Sequence, residues 1–160
     1  AQITESIVIE NLSGAELSLS FFQYNNFDLA ANGGGDYVRI LTDNLGSFSV
    51  AQQVEPGISG LEEASVQNNP GSVKAEVAYF DTILSKLSDG DIDNLNNSTG
   101  MIGPGNVEFA FQWDYTIADG GSQTISKVKT LDVTFVPEPA SIGLALLGFG
   151  AIMLSRKRRV

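Results

Sequence analysis

Apolar and polar residues alternate with a period of two over most of the first 136 positions, and that spacing points to half-buried β-strands rather than helices. The clearest run is Val107 to Ile117. Val107, Phe109, Phe111, Trp113, Tyr115 and Ile117 fall in phase there, while Glu108, Ala110, Gln112, Asp114 and Thr116 between them are small or polar. A strand of this kind buries one face and wets the other, so Phe109, Phe111, Trp113 and Tyr115 are expected in the core. Residues 124–135 continue the alternation through Ile125, Lys127, Lys129, Leu131, Val133 and Phe135, with a change of buried face expected near 128–131. Ala118-Asp119-Gly120-Gly121-Ser122 carries turn chemistry, so the two segments read as a hairpin.

Upstream, residues 3–11, 16–24, 37–42, 47–54 and 73–78 read as further strands, separated by Gly14, Gly33-Gly34-Gly35, Asn44-Leu45-Gly46 and Pro56-Gly57. Seven strands with frequent turns predict a mainly β fold, an antiparallel β-sandwich. One short helix is expected over residues 79–87, where Phe80, Ile83, Leu84 and Leu87 share a face and would close an end of the sandwich.

The pattern changes at residue 140. Fifteen residues, Ala140 to Leu154, carry no charge, and Ser141 is the only polar side chain among them. Arg156, Lys157, Arg158 and Arg159 follow at once. Residues 1–136 hold five basic and eighteen acidic residues, net −13, whereas 137–160 are net +3. An apolar run followed by a basic cluster reads as a transmembrane helix over 140–155 with a cytoplasmic tail at 156–160. The run is shorter than the roughly 20 residues a bilayer core needs. Interfacial placement of Pro137, Glu138 and Pro139, snorkelling of the basic side chains and local thinning of the bilayer can make up the difference. The expected organisation is an exported, periplasmic domain over 1–136, a Pro-Glu-Pro linker at 137–139 and a type I single-pass anchor in the cell membrane, with a secretory leader removed before Ala1.

Val136-Pro137-Glu138-Pro139-Ala140-Ser141, the apolar run and the Arg/Lys terminus, in that order, resemble the PEP-CTERM sorting signal of Gram-negative bacteria. The resemblance covers about the last 25 residues. It implies export, envelope association and reading by exosortase, a membrane cysteine protease-transpeptidase that cuts near the motif, often in species that make exopolysaccharide. It implies no particular activity for the domain ahead of it. Less specifically, Phe111-Gln112-Trp113-Asp114, Gly120-Gly121 and Ile125-Ser126-Lys127 resemble the end of the exported domain in a set of PEP-CTERM proteins.

Composition narrows the chemistry. The chain of 160 residues has no Cys and no His, which removes thiol nucleophiles, disulfides, Cys/His zinc sites and the Ser-His-Asp triad. A net charge of −10 argues against a nucleic-acid partner. Asp89, Asp91 and Asp93 match positions 1, 3 and 5 of an EF-hand loop, but Asn94 and Gly100 stand where Gly and Glu are needed, so a Ca²⁺ loop and a plain solvated loop both remain open. Glu62 with Glu63, and Glu108 with Asp114, are the carboxylate pairs considered for glycosidase-type acid/base work, with solvent-facing positions expected for all four. Tyr24, Phe27, Tyr37 and Trp113 are a candidate sugar-stacking set, with core packing the stronger reading for Trp113. No other cofactor is expected, and the protein is read as a non-enzyme.

Three functions fit. The favoured one is a non-catalytic accessory subunit whose β-domain packs on the periplasmic face of a multi-subunit membrane complex, for example photosynthetic or respiratory. On this reading the tail is expected to stay uncut, with Ser141, Ala145, Gly148 and Ser155 as a small-residue stripe suited to packing against partner membrane helices. The others are an exosortase-sorted surface or biofilm-matrix protein and a glycan-binding module.

Overall fold

The computed structural model describes residues 1–29, 34–56 and 60–135, with backbone alone for 60–65 and 134–135. The order is β1 (Gln2–Glu10), β2 (Leu17–Asn25), β3 (Asp36–Thr42), β4 (Phe48–Pro56), β5 (Gly60–Ser72), β6 (Lys74–Tyr79), α1 (Thr82–Ser88), β7 (Ile102–Gly105), β8 (Val107–Ile117) and β9 (Ser122–Phe135). Six strands form one antiparallel sheet in the order β1-β9-β5-β4-β3-β7, and three form a second in the order β2-β8-β6. The sheets stack across a shared core of Val38, Ile40, Ala51, Val66 and Ile125 from the larger and Val77, Val107, Phe109, Phe111 and Trp113 from the smaller. Period-2 patterning therefore yields the mainly β, antiparallel fold with one short helix that it predicts.

Trp113 is 1% exposed and sits at the middle of an aromatic row, its ring centroid 5.9 Å from that of Phe21 and 6.0 Å from that of Phe111. Its indole N–H donates to the Pro70 carbonyl of the opposite sheet at 3.1 Å, which satisfies the one polar atom that burial would otherwise strand. Tyr115, expected with them, is only half-buried.

Several expectations change. The described residues form nine strands, two more than the pattern suggests. β5 is rich in Asn, Ser and Glu and holds Asn69-Pro70-Gly71, so its propensity is poor, yet it pairs with β4 on one side and β9 on the other. Ladder partners on both sides outweigh intrinsic preference. β8 and β9 are not a hairpin, because β8 pairs with β2 and β6 while β9 pairs with β1 and β5. Turn residues reverse the chain but do not decide which sheet it re-enters. Buried Asn11 fixes the crossing: it exchanges backbone hydrogen bonds with Gly120 and Gly121, and its amide donates to Ile117 O and Ala15 O, each at 2.7 Å. The β1–β2 and β8–β9 connections both change sheets at this point.

β9 does not switch its buried face near 128–131. Its odd positions stay inward through Lys127, beyond which Leu131 and Val133 lie exposed. Nor does α1 close an end of the sandwich; it starts at Thr82 and lies over the outer face of the three-stranded sheet. There Ile83, Leu95 and Ala110 form a second core, with Phe22, Tyr24, Ala78 and Leu87 packed against it. Phe80 and Leu84, expected on the buried face, are exposed.

Truncating Trp113 removes both its packing and its cross-sheet hydrogen bond. Trp113→Ala is expected to cost about 3–5 kcal/mol, a fall in melting temperature of roughly 10 °C or more. Unchanged thermal unfolding in that variant would contradict the core described here.

Candidate functional site

The outer face of β8 is where polar chemistry concentrates. Alternation sends Glu108, Ala110 and Gln112 outward, but α1 and the segment that follows it cover them, so Glu108 and Gln112 are each 0% exposed. A buried carboxylate needs donors. Glu108 accepts from the Tyr24 hydroxyl at 2.8 Å, from the Asp81 backbone N–H at 3.1 Å and from the Ile83 backbone N–H. Asp81, the N-cap of α1, has a left-handed backbone and makes no side-chain cap, so the strand carboxylate satisfies the helix's orphan donors instead. Burial, followed by the bond to Glu108, pushes the Tyr24 hydroxyl up to about 12. Gln112 accepts from Leu95 N and donates to Asn94 and Asp114. Glu76 of β6 receives Lys86 at 2.7 Å together with the backbone and side-chain amides of Asn96. The helix and residues 94–99 are thus strapped to the sheet by polar side chains that a wet face would not require.

Beside the strap lies a groove of about 710 Å³. Ser18, Ser20, Asp114 and Thr116 form its floor, and Lys86, Asp91, Asp93 and Asn94 its wall. Asp114 is held below the usual carboxylate range by hydrogen bonds from Gln112 and Ser20. With Lys86 committed to Glu76, the lining carries an acidic excess. Asp91 and Asp93 of the candidate Ca²⁺ loop reach this groove, but Asp89 does not line it; instead it accepts the Asp91 N–H at 2.9 Å in a local turn. Among the described residues no group of three or more Asp or Glu side chains is placed to hold a metal ion.

The acid/base pair fares differently from its expectation. Glu108 does not face water, and it stands six residues from Asp114, roughly 20 Å along one strand, too far to flank a glycosidic bond. The side chains of Glu62 and Glu63 lie outside those described. The aromatic set is dispersed: Trp113 is in the core, Phe27 packs edge-on against Phe109 at 5.7 Å, and Tyr24 is on the outer face against Glu108. Gly33 of the glycine run, the Pro137-Glu138-Pro139 motif, the 140–155 span with its Ser141, Ala145, Gly148 and Ser155 stripe, and Arg156, Lys157, Arg158 and Arg159 all lie outside the described residues. Among those described, no helix is long and apolar enough to cross a membrane.

A second polar cluster, inside the sandwich, escaped the sequence reading. Asp36 of β3 and Gln53 and Glu55 of β4 point inward and are at most 2% exposed. The Gln53 amide donates to Asp36 Oδ2 at 2.9 Å and to Phe27 O at 2.8 Å. Burial pushes the Asp36 carboxyl up to about 6, against the hydrogen bond from Gln53 and with the help of neighbouring Glu55. The available signal was Gln53 and Glu55 in phase with inward Ala51.

Two outcomes follow from these clusters. Glu108→Ala leaves buried donors of Asp81, Ile83 and Tyr24 unpaired, at about 1–3 kcal/mol each. Amide exchange at Asp81 and Ile83 should accelerate and the melting temperature should fall, whereas unchanged exchange would show that Glu108 does not hold the helix. Between pH 4 and 6 native Asp36 keeps a proton that the unfolded chain releases, so its contribution to stability declines as pH rises through that window, by on the order of 2 kcal/mol. Asp36→Asn should remove this decline; parallel melting profiles for variant and wild type from pH 4 to 7 would refute it.

Comparison with curated proteins finds no match. Comparison with protein families gives one: residues 135–159, beginning on the last residue of β9, match the PEP-CTERM protein-sorting motif.

Proposed function

We propose that this chain is an exosortase-sorted, exported protein whose β-domain serves at the cell surface or in the extracellular matrix as a non-catalytic module. One observation carries the reading: the sorting motif starts where the last strand ends, so the folded domain is fused to its sorting signal without a spacer. The domain itself suits a place outside the cytoplasm. It has no thiol to oxidise, its net charge of −13 keeps it soluble, and its polar clusters are engaged in holding the fold. The acidic groove beside α1 is the surface such a module would offer to a ligand. The accessory-subunit reading depends on a stripe of small residues that lies beyond the described chain, and nothing in the β-domain favours it over sorting.

The test is the fate of the tail in a Gram-negative host that has exosortase. The expected product lacks the residues that follow the Pro-Glu-Pro motif and leaves the membrane fraction. Glu138→Ala, or removal of Arg156 to Arg159, should leave an uncut, membrane-retained form. An intact tail in the wild type, with co-migration among other subunits on a native gel, would overturn the proposal in favour of a membrane complex.

A further inference from the structure

The register of the large sheet fixes which end of the domain faces the membrane while the tail is uncut, an inference that rests on the tail acting as an anchor. β9 ends at Phe135, and only Val136 to Pro139 separate it from the apolar run at Ala140. Even fully extended, that link spans at most about 18 Å. Fifteen residues taken as helix would span about 23 Å against a hydrocarbon core of about 30 Å, a shortfall that would draw the link toward the headgroups rather than away from them. The opposite end of β9, at Ser122, stands roughly 43 Å up the strand.

Among acidic residues such as Asp132 and Asp81, the near end also exposes apolar side chains. Val133 pairs with Glu62, Glu62 with Glu55, and Asp36, next to Tyr37 and its partner Val54, pairs with Gly105, on whose backbone the Tyr79 ring packs. One row across the sandwich therefore brings Val133, Tyr79 and the adjoining Phe80 to the same end, each about half exposed. On the inner face of the large sheet, where the smaller sheet no longer covers it, Leu131 and Ile3 line a groove of about 430 Å³ with Phe27 and Leu29. Ile3, opposite Lys129, lies about halfway up β9, so Leu131 is the part of this groove nearer the membrane. Aliphatic and aromatic side chains held this near a bilayer gain by entering its interface, and Tyr and Phe suit that depth. We infer that in the anchored protein this end, carrying Tyr79, Phe80, Leu131 and Val133, docks on the lipid surface of the exported face, so that the domain stands upright on the membrane until the tail is cut.

The chain lacks cysteine, so single labels can be introduced cleanly. Full-length protein would be reconstituted into phosphatidylethanolamine–phosphatidylglycerol vesicles with an environment-sensitive fluorophore at Phe80→Cys or Val133→Cys, or at Leu12→Cys or Leu45→Cys on the far end. Quenching by a headgroup nitroxide is expected to be about threefold or more stronger at the near pair, and Leu131→Glu with Val133→Glu should lower it at Phe80→Cys. Carbonate extraction reports the anchor separately. Protein that resists extraction but quenches equally at both ends overturns docking while leaving the anchor intact. Protein that is extracted overturns the anchor and the docking with it. Self-quenching of the near labels in lipid-free micelles would make the face a contact between copies, which also overturns docking.

Discussion

From Val107 to Trp113 strand β8 is dry on both faces, and the arrangement around it answers that constraint. Its inward side chains are aromatic and need only close packing. Its outward ones include a carboxylate and an amide that burial would strand without partners, so the helix and the segment after it must deliver backbone donors and asparagine side chains to fixed points on the sheet. Glu108 and Gln112 therefore determine where α1 begins and where the chain crosses back. From there Ser98 O accepts from Val77 N and Thr99 O from Ile40 N, which ties the edges of the two sheets together. The acidic groove exists because the strap covers one end of the small sheet's outer face and leaves Ser18, Ser20 and Thr116 bare at the other.

Much of this was legible from period-2 alternation alone, because wherever an inward row is wholly apolar the pattern and the burial coincide. Phe109, Phe111 and Trp113 are such a row. Reading failed where long-range partners override local preference. β5 resembles a loop until β4 and β9 flank it, and the Gly120-Gly121 turn looks like any hairpin until Asn11 pins it between sheets. Polar residues misled for a related reason. The residue type of Glu108 points to water, but the second layer that buries it is built by residues 82–99, and no property of the strand announces that layer. Asp36, Gln53 and Glu55 show the converse: they occupy inward positions that alternation marks correctly and that chemistry argues against.

The same distinction separates the two halves of the functional argument. The tail was readable because a sorting signal is recognised as a linear order of residues, Pro-Glu-Pro, apolar run and basic end, and the matching motif covers that order. The β-domain offers no comparable string. Its groove is assembled from β2, β8, α1 and the loop after it, so Asp91, Asp93 and Asp114 become neighbours of one surface only through folding.

The position of β9 bears on how the protein withstands force. This strand continues into the tail, and it pairs with β1 over residues 122–130 on one side and with β5 over 126–135 on the other. A pull on the tail acts along the strand axis, so it loads both ladders in shear, and many bonds must yield together rather than one after another. An edge strand in the same position would have only one ladder to share the load. Whatever holds the C-terminal end, bilayer or surface polymer, tension from the environment is thus passed into the most extensively paired part of the fold.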